Sequence, residues 1–322
     1  MTEKKKSITN KKPLVCIIIV NWNGGQTTMN CLESLIKLTK YPNYKIIVID
    51  NGSSDGTLEK ISSIKQIDLF KLNENIGYAP GMNLGWKYSI EKYNPDYICN
   101  MNNDIVTIQD FWLDLMVEEL EKDPLRGLCG NKLLFPDGRV QLLFIERKPK
   151  WYEEKDNGQF DFVKEVKAVG GANMLIKRSV IDKIGALDEH FFYGPDDIDY
   201  CIRSTKAGFK IVYQGLSKSE HLASFSYLSA KKDFIYLHQS YGQMFFTFRH
   251  GKLVEKILMV IRQFFRAFVT RKHPFDKQSY SNTFFHKSFI KRINYFFGSF
   301  FKALKDYKFV KMERFNGKLV KI

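Results

Sequence analysis

The sequence predicts an α/β fold: a mainly parallel central sheet flanked by helices, followed by a helical, basic C-terminal region. Three observations carry this expectation. Short apolar, β-branched runs alternate with amphipathic stretches through residues 14–123. Polar residues interrupt the chain at the end of each run. The charge is lopsided: segment 231–322 holds 20 of the 50 Lys and Arg residues but only 5 of the 35 Asp and Glu residues, so the formal charge of +15 resides in the tail and 1–230 is balanced.

Residues 14–20, LVCIIIV, form a continuous apolar run, the pattern of a strand covered on both faces. After NWNGGQ, apolar residues at 29, 32, 35, 36 and 38 predict a helix over 26–40, stopped by Pro42. YKIIVID (44–50) predicts a second strand and NGSSDGT a turn. Thr57 begins a helix to about Lys65, and IDLFKL (67–72) is a third strand. NENIGYAPGMN reads as a glycine-rich loop leading into a helix near 82–92. DYICNMN (96–102) is a fourth strand, and IQDFWLDLMVEELEKD (108–123) is an amphipathic helix ended by Pro124. Alternation of this kind makes parallel crossovers. Residues 128–180 predict strands and hairpins around a variable loop at 144–160. SVIDKIGAL then reads as a short helix, DEHFFYGPDDIDYCIRSTKAG as a loop and helix, and FKIVYQG as a last strand.

In such sheets ligands bind at the carboxyl ends of strands. Asn21 and Asn23, Asp50 and Asn51, Asn73 and Asn75, and Asn102 and Asp104 all fall there. Asp104 is the acid of its loop, with Asn102 a neutral oxygen donor beside it. Mg²⁺ takes one or two carboxylates and completes its shell with water and phosphate oxygens; an Asx turn capping the next helix would use the same residues. Asp196-Asp197-Ile198-Asp199 puts three acids in four residues, which persist when solvated, paired or near a cation. A carboxylate raised by such neighbours suits general-base work, and an acidic helix N-terminus suits the same run. His221 follows the last strand, either as a structural histidine or as a ligand better suited to Mn²⁺ than to Mg²⁺. Glycines at 24, 25, 77, 81 and 85 let backbone approach a ligand. Neither GxGxxG nor GxxxxGK[ST] occurs at the required spacing, so dinucleotide and P-loop readings lose support.

Taken together, IIIVNWNGGQTTMNCLESL, YKIIVIDNGSSDGT, NENIGYAPGMNLG, MNNDIV, GGANMLIKRSVIDKIGALDEHFFYGPDDIDYCIRSTKAGFKIVY and EHLASFS resemble family 2 glycosyltransferases. The nearest likeness is to the bacterial rhamnosyltransferase-like branch that builds surface polysaccharides, and it covers roughly 14–230. The resemblance implies a GT-A fold and inverting transfer from a nucleotide sugar, with a uracil or thymine base, to a glycan hydroxyl. It implies that Asp50 contacts the nucleobase and that Asn75, Gly77 and Asn83 line the nucleotide. Asn102-Asn103-Asp104 then occupies the position of the family's DxD motif, whose last acid reaches a divalent cation, Mg²⁺ or Mn²⁺. Asp197 matches the catalytic base, with Asp196 in place of the family's Glu. His221 matches a histidine near metal and diphosphate. Asn102 stands for the first acid of DxD, so a lone carboxylate should bind metal weakly until the diphosphate joins it. A non-catalytic nucleotide-sugar or glycan-binding protein of the same fold is the alternative.

The expected division is a basic N-terminal tail at 1–13, a GT-A domain at 14–230 and a basic, aromatic-rich helical region at 231–322. That last segment contains 22 of the 47 Phe, Trp and Tyr residues, with Lys and Arg interleaved. The pattern predicts helices lying on an anionic membrane surface, against a rival in which they only pack on the catalytic domain. No nucleic-acid-binding motif appears, so no nucleic-acid partner is expected. No signal peptide and no spanning segment are read. The five cysteines, none in a CxxC pair, suggest buried thiols in a reducing compartment. The expectation is a cytoplasmic protein, peripheral on the inner face of the cell membrane, acting on a lipid-linked acceptor.

Overall fold

The computed structural model describes residues 12–145, 151–222, 232–268 and 289–308. In chain order the strands are β1 (Val15–Asn21), β2 (Tyr44–Asp50), β3 (Ile67–Lys71), β4 (Tyr97–Asn102), β5 (Ile105–Thr107), β6 (Arg126–Leu134), β7 (Val140–Leu142), β8 (Val163–Val166), β9 (Asn173–Lys177) and β10 (Lys210–His221). The helices are α1 (Gly25–Leu38), α2 (Thr57–Ile61), α3 (Tyr78–Tyr93), α4 (Trp112–Glu121), α5 (Arg178–Ile184), α6 (Asp196–Lys206), α7 (Lys232–His250), α8 (Leu253–Phe268) and α9 (Phe289–Asp306).

The main path of the sheet runs β3-β2-β1-β4-β9-β6-β10-β5. The strands β1 to β4, β6 and β10 share one direction, while β9 and β5 run against it. Alternation along β1 explains its unbroken apolar sequence. Cys16, Ile18 and Val20 enter one core with Met82 and Trp86 of α3 and Tyr200 of α6. Val15, Ile17 and Ile19 enter the other with Leu32 and Leu35 of α1 and Trp112 and Met116 of α4. Both faces are therefore dry, and each fully buried aliphatic side chain contributes about 1.5–3 kcal/mol.

A third core joins the C-terminal helices to the sheet domain. Phe191, from the segment before α6, packs among Tyr241, Met244, Phe245, Phe248 and Phe296. Beside it lies a buried ionic cluster. Asp199 accepts from Arg203 Nε at 2.7 Å and from His250 Nε2 at 2.7 Å, and Arg249 pairs with both Asp188 and Asp199. Burial opposes ionisation of Asp199, but the His250 hydrogen bond and the Arg203 and Arg249 charges hold its carboxyl below the usual range. The third acid of the 196–199 run is thus an anchor for α7.

The fold corrects several expected boundaries. Helix α3 starts at Tyr78, inside the segment read as a loop, because the Tyr78 N–H finds the Phe192 carbonyl at 2.9 Å and the Gly77 N–H finds Asn75 Oδ1. Helix α1 ends at Leu38, where Thr39 turns extended, before Pro42 is reached. Helix α2 ends at Ile61 and α4 starts at Trp112. The short strand β5 was read as part of a loop. The ends of the expected tail regions, 1–11 and 309–322, lie outside the described residues, as does the expected boundary at 230. All five cysteines are buried free thiols.

Candidate active site

Strand register assembles the first part of the site. Asn21 lies opposite Asp50 on β2, and Val20 lies opposite Asn102 on β4. Asn21 Nδ2 donates to Asp50 Oδ2 at 2.8 Å, and the Ser53 N–H donates to Asp50 Oδ1 at 3.0 Å. Asp50 is fully buried, so its carboxylate shapes the turn after β2. Asn23 holds the same turn, accepting from the Ser54 N–H at 2.8 Å. Asn103 Nδ2 donates to Asn21 Oδ1 at 3.1 Å and to Thr28 Oγ1 at 3.0 Å, facing the β1–α1 junction.

Asn51, directly after β2, organises the next loop. Its Nδ2 donates to Asn75 Oδ1 and to the Gly77 carbonyl, both at 3.0 Å, and its Oδ1 accepts from the Ile76 N–H. Gly77 has φ +103°, and a Cβ there would meet Phe192 at 2.9 Å, so a side chain is excluded twice over. Asn83 clamps the far segment: its amide donates to the Leu187 carbonyl at 3.0 Å and accepts from the Leu187 N–H at 3.1 Å.

Antiparallel pairing of β5 with β10 sets His221 opposite Ile105, one residue from Asp104. His221 Nε2 stands 3.1 Å from Asp104 Oδ1 and 3.5 Å from Asn102 Nδ2. Gln141 binds His221 Nδ1 and also donates to its carbonyl, fixing the ring. Two neighbouring donors on an octahedral ion with arms of ~2.1 Å stand about 3.0 Å apart, so Asp104 and His221 fit one edge of a divalent-metal shell. Among the described residues no group of three or more His, Cys, Asp or Glu side chains is placed to hold a metal. If the pair held an ion, substrate oxygens or water would have to complete its shell.

Helix α6 begins at Asp196, with Asp197 one residue in. The Gly171 N–H donates to Asp197 Oδ2 at 2.9 Å, and the Ile198 N–H donates to Oδ1 at 2.8 Å. Ala172, next to Gly171, accepts from the Asn102 N–H at 2.8 Å. Two hydrogen bonds and one peptide step therefore connect Asp197 to the strand end that precedes Asp104. Burial, then the charge of Asp197, raises the Asp196 carboxyl; burial also raises Asp197, against its backbone hydrogen bonds.

Tyr78 is a member that sequence reasoning missed. Its hydroxyl is buried without a hydrogen-bond partner among the described residues. Burial raises its pKa, and so do the charges of Asp196, Asp197 and Asp104. The available signal was its place directly after Gly77, where backbone constraint fixes the ring. The paired glycines at 170 and 171 were the corresponding signal for the Asp197 contact.

An α/β sheet with its polar strand ends gathered beside Asp104, His221 and the Asp196–Asp197 pair has the architecture of the GT-A class. Two solved structures share the fold. The mannosyltransferase PcManGT from Pyrobaculum calidifontis, in complex with GDP-Man and Mn²⁺, aligns over 92% of this chain and 76% of its own, with TM-score 0.53 and 13% identity. GalNAc-T7 with UDP, GalNAc and Mn²⁺ aligns over 92% and 57%, with TM-score 0.56 and 14% identity. Residues 16–185 match the profile of "Glycosyl transferase family 2", and the chain belongs to that family.

Among curated relatives, the N-acetylglucosaminyl-diphospho-decaprenol L-rhamnosyltransferase of Mycobacterium tuberculosis is 23% identical over 73% of this chain and 84% of its own length. The O-antigen chain rhamnosyltransferase RfbN of Salmonella typhimurium is 24% identical over 62% and 63%. The match covers only 25% of protein y4gI of Sinorhizobium fredii, at 28% identity, and 18% of the O-antigen biosynthesis protein RfbC of Myxococcus xanthus.

Proposed function

We propose that the chain transfers a hexosyl or rhamnosyl group, with inversion, from a UDP- or dTDP-sugar to a hydroxyl of a lipid-linked glycan during cell-surface polysaccharide synthesis. It works peripherally, at the inner face of the cell membrane. The observation that carries the transferase reading is the link Asp197–Gly171–Ala172–Asn102, which ties a half-buried carboxylate to the end of β4, beside which Asp104 meets His221 of β10. The rhamnosyltransferase names of two relatives support the sugar class.

Asp197 takes the proton of the acceptor hydroxyl as that oxygen bonds the anomeric carbon and the nucleoside diphosphate leaves. Two backbone N–H groups hold its carboxylate, so it meets the alcohol already oriented. Asp104 and His221, with Asn102 beside them, would hold Mg²⁺ or Mn²⁺ against the diphosphate. The ion supplies charge stabilisation for the leaving group. Asn51, Asn75 and Gly77 shape the wall that faces the nucleotide, while Asn21, Asn23, Asp50, Asn83 and Asn103 position it. Asp196 keeps the neighbourhood of Asp197 dry and acidic.

The test is a thermal-shift and transfer screen of nucleoside diphosphate sugars with each metal, using the parent chain and Asp104→Ala. The parent is expected to be stabilised only by sugar nucleotide and metal together, and the variant to lose that synergy. Metal titration by calorimetry that is unchanged in Asp104→Ala would remove the ligand role. Donor binding by the parent without hydrolysis or transfer under any metal would favour the non-catalytic reading.

A further inference from the structure

The outer surface of the C-terminal helices carries apolar stripes. Helix α8 has two apolar sides. Met259 and Val260 turn inward to the third core. On the other side Leu253, Val254, Ile257, Leu258, Ile261 and Phe265 are 72, 65, 50, 57, 45 and 60% exposed. At 100° per residue these six fall within an arc of roughly 140°. Helix α9 repeats the arrangement: Phe296 and Ala303 are buried, whereas Ile290, Phe297, Phe301 and Leu304 are 69, 43, 62 and 48% exposed. The two helices meet through Phe264 and Phe296, whose ring centroids are 5.5 Å apart. A monomeric soluble protein leaves large apolar side chains scattered, not in stripes on adjoining helices.

Within α8 and α9 seven Lys and Arg residues stand against two acids, Glu255 and Asp306. Lys252, Arg262, Lys291, Lys302, Lys305 and Lys308 are exposed. No described helix is long and apolar enough to cross a membrane. We infer that the exposed stripes of α8 and α9 are one insertion face for an anionic lipid surface, with both helices lying in the plane of the headgroups. This deepens the peripheral location proposed above and rests on it, but it specifies which side chains enter the lipid. The charge excludes the obvious rival. An isologous pair of such faces would set two cationic surfaces against each other, whereas anionic headgroups neutralise the lysines while their acyl chains take the apolar side chains.

The face is also continuous with the catalytic helix. A groove of about 420 Å³ separates α8 from α6 and α7, lined by Ile202, Phe246, His250, Leu258, Met259 and Arg262. Ile202 belongs to α6, whose first turn carries Asp197. Docking on α8 would therefore hold α6, and Asp197 with it, in one orientation to the lipid surface.

The experiment is flotation of the full chain with phosphatidylglycerol–phosphatidylcholine vesicles and with pure phosphatidylcholine vesicles. The readout is lipid binding, so it stands whether or not the transferase assignment holds. The parent should float with the anionic vesicles. The double variant Ile257→Glu/Phe301→Glu should lose about 100-fold in vesicle affinity while its melting temperature stays at the parent value, because both side chains are exposed. Leu125→Glu, a 51% exposed residue outside the C-terminal helices, should float like the parent. Three results overturn the inference: no flotation of the parent with anionic vesicles, equal loss in the Leu125→Glu control, or a lipid-free dimer of the parent that the double variant dissolves, which would assign the face to a second copy of the chain.

Discussion

The Gly171 N–H donates to Oδ2 of Asp197 at 2.9 Å, and a Cβ on Gly171 would stand 3.0 Å from the Asp197 Cβ. The glycine is thus both the donor that orients the Asp197 carboxylate, the proposed base, and the space that side chain occupies. Gly171→Ala should keep the fold and donor affinity but displace the carboxylate from the acceptor, lowering kcat by about 10-fold or more. Steady-state kinetics beside donor calorimetry would check this; an unchanged kcat would detach the 170–172 loop from catalysis.

Asp197→Asn keeps the shape and removes the proton acceptor. Turnover should fall by ~10²–10⁴-fold with donor binding retained. A variant that transfers sugar at the parent rate would show that another group takes the proton.

The base acts ionised, and burial raises the Asp196–Asp197 pair above the ordinary carboxylate range. Activity should therefore rise with pH through the apparent values of the pair, then level off. Stability follows the opposite course. Unfolded Asp196 ionises near pH ~4 while the folded group resists up to about 8, so the fold loses stability as pH rises between those values. Asp196→Asn removes the liability. It should melt higher than the parent at alkaline pH, with a gain that vanishes toward acid pH; scanning calorimetry across pH would detect the trend or refute it.

Tyr78 carries a buried hydroxyl without a partner among the described residues, and an unmade buried hydrogen bond costs about 1–3 kcal/mol. Tyr78→Phe should raise the melting temperature of the free protein while weakening its complex with sugar nucleotide. Equal effects on free and bound protein would mean that the hydroxyl serves neither donor nor acceptor.

Arg249 neutralises two fully buried carboxylates, Asp188 and Asp199. Arg249→Ala removes the cation the two share, leaves Asp188 to His190 and Asp199 to Arg203 and His250, and should lower the urea midpoint. Because Asp199 is held below the usual carboxylate range, the network's stabilisation is present above that range and is lost as pH falls through the depressed value. A midpoint insensitive to acid would separate α7 docking from this cluster.

Local sequence was enough to read the alternating strands and helices, the polar strand ends and the cationic, aromatic tail. Burial on both sheet faces demands unbroken apolar runs, and an amphipathic helix demands two sides of different chemistry, so both leave periodic traces along a short stretch. The family motifs likewise singled out Asp104, Asp197 and His221 as residues to examine. Tertiary structure alone decided what each polar group faces. Asn102, Asn103 and Asp104 are consecutive, yet Asn103 turns to Asn21 and Thr28 while Asp104 meets His221 across a strand pair 117 residues apart in sequence. Asp196, Asp197 and Asp199 share one helical turn, yet Asp196 is buried beside the charge of Asp197, Asp197 is held by Gly171 and Asp199, also buried, anchors α7. The physical reason is that hydrogen bonds and charge pairs are set by distances of about 3 Å between atoms, and those distances exist only after strand register and helix packing bring remote residues together.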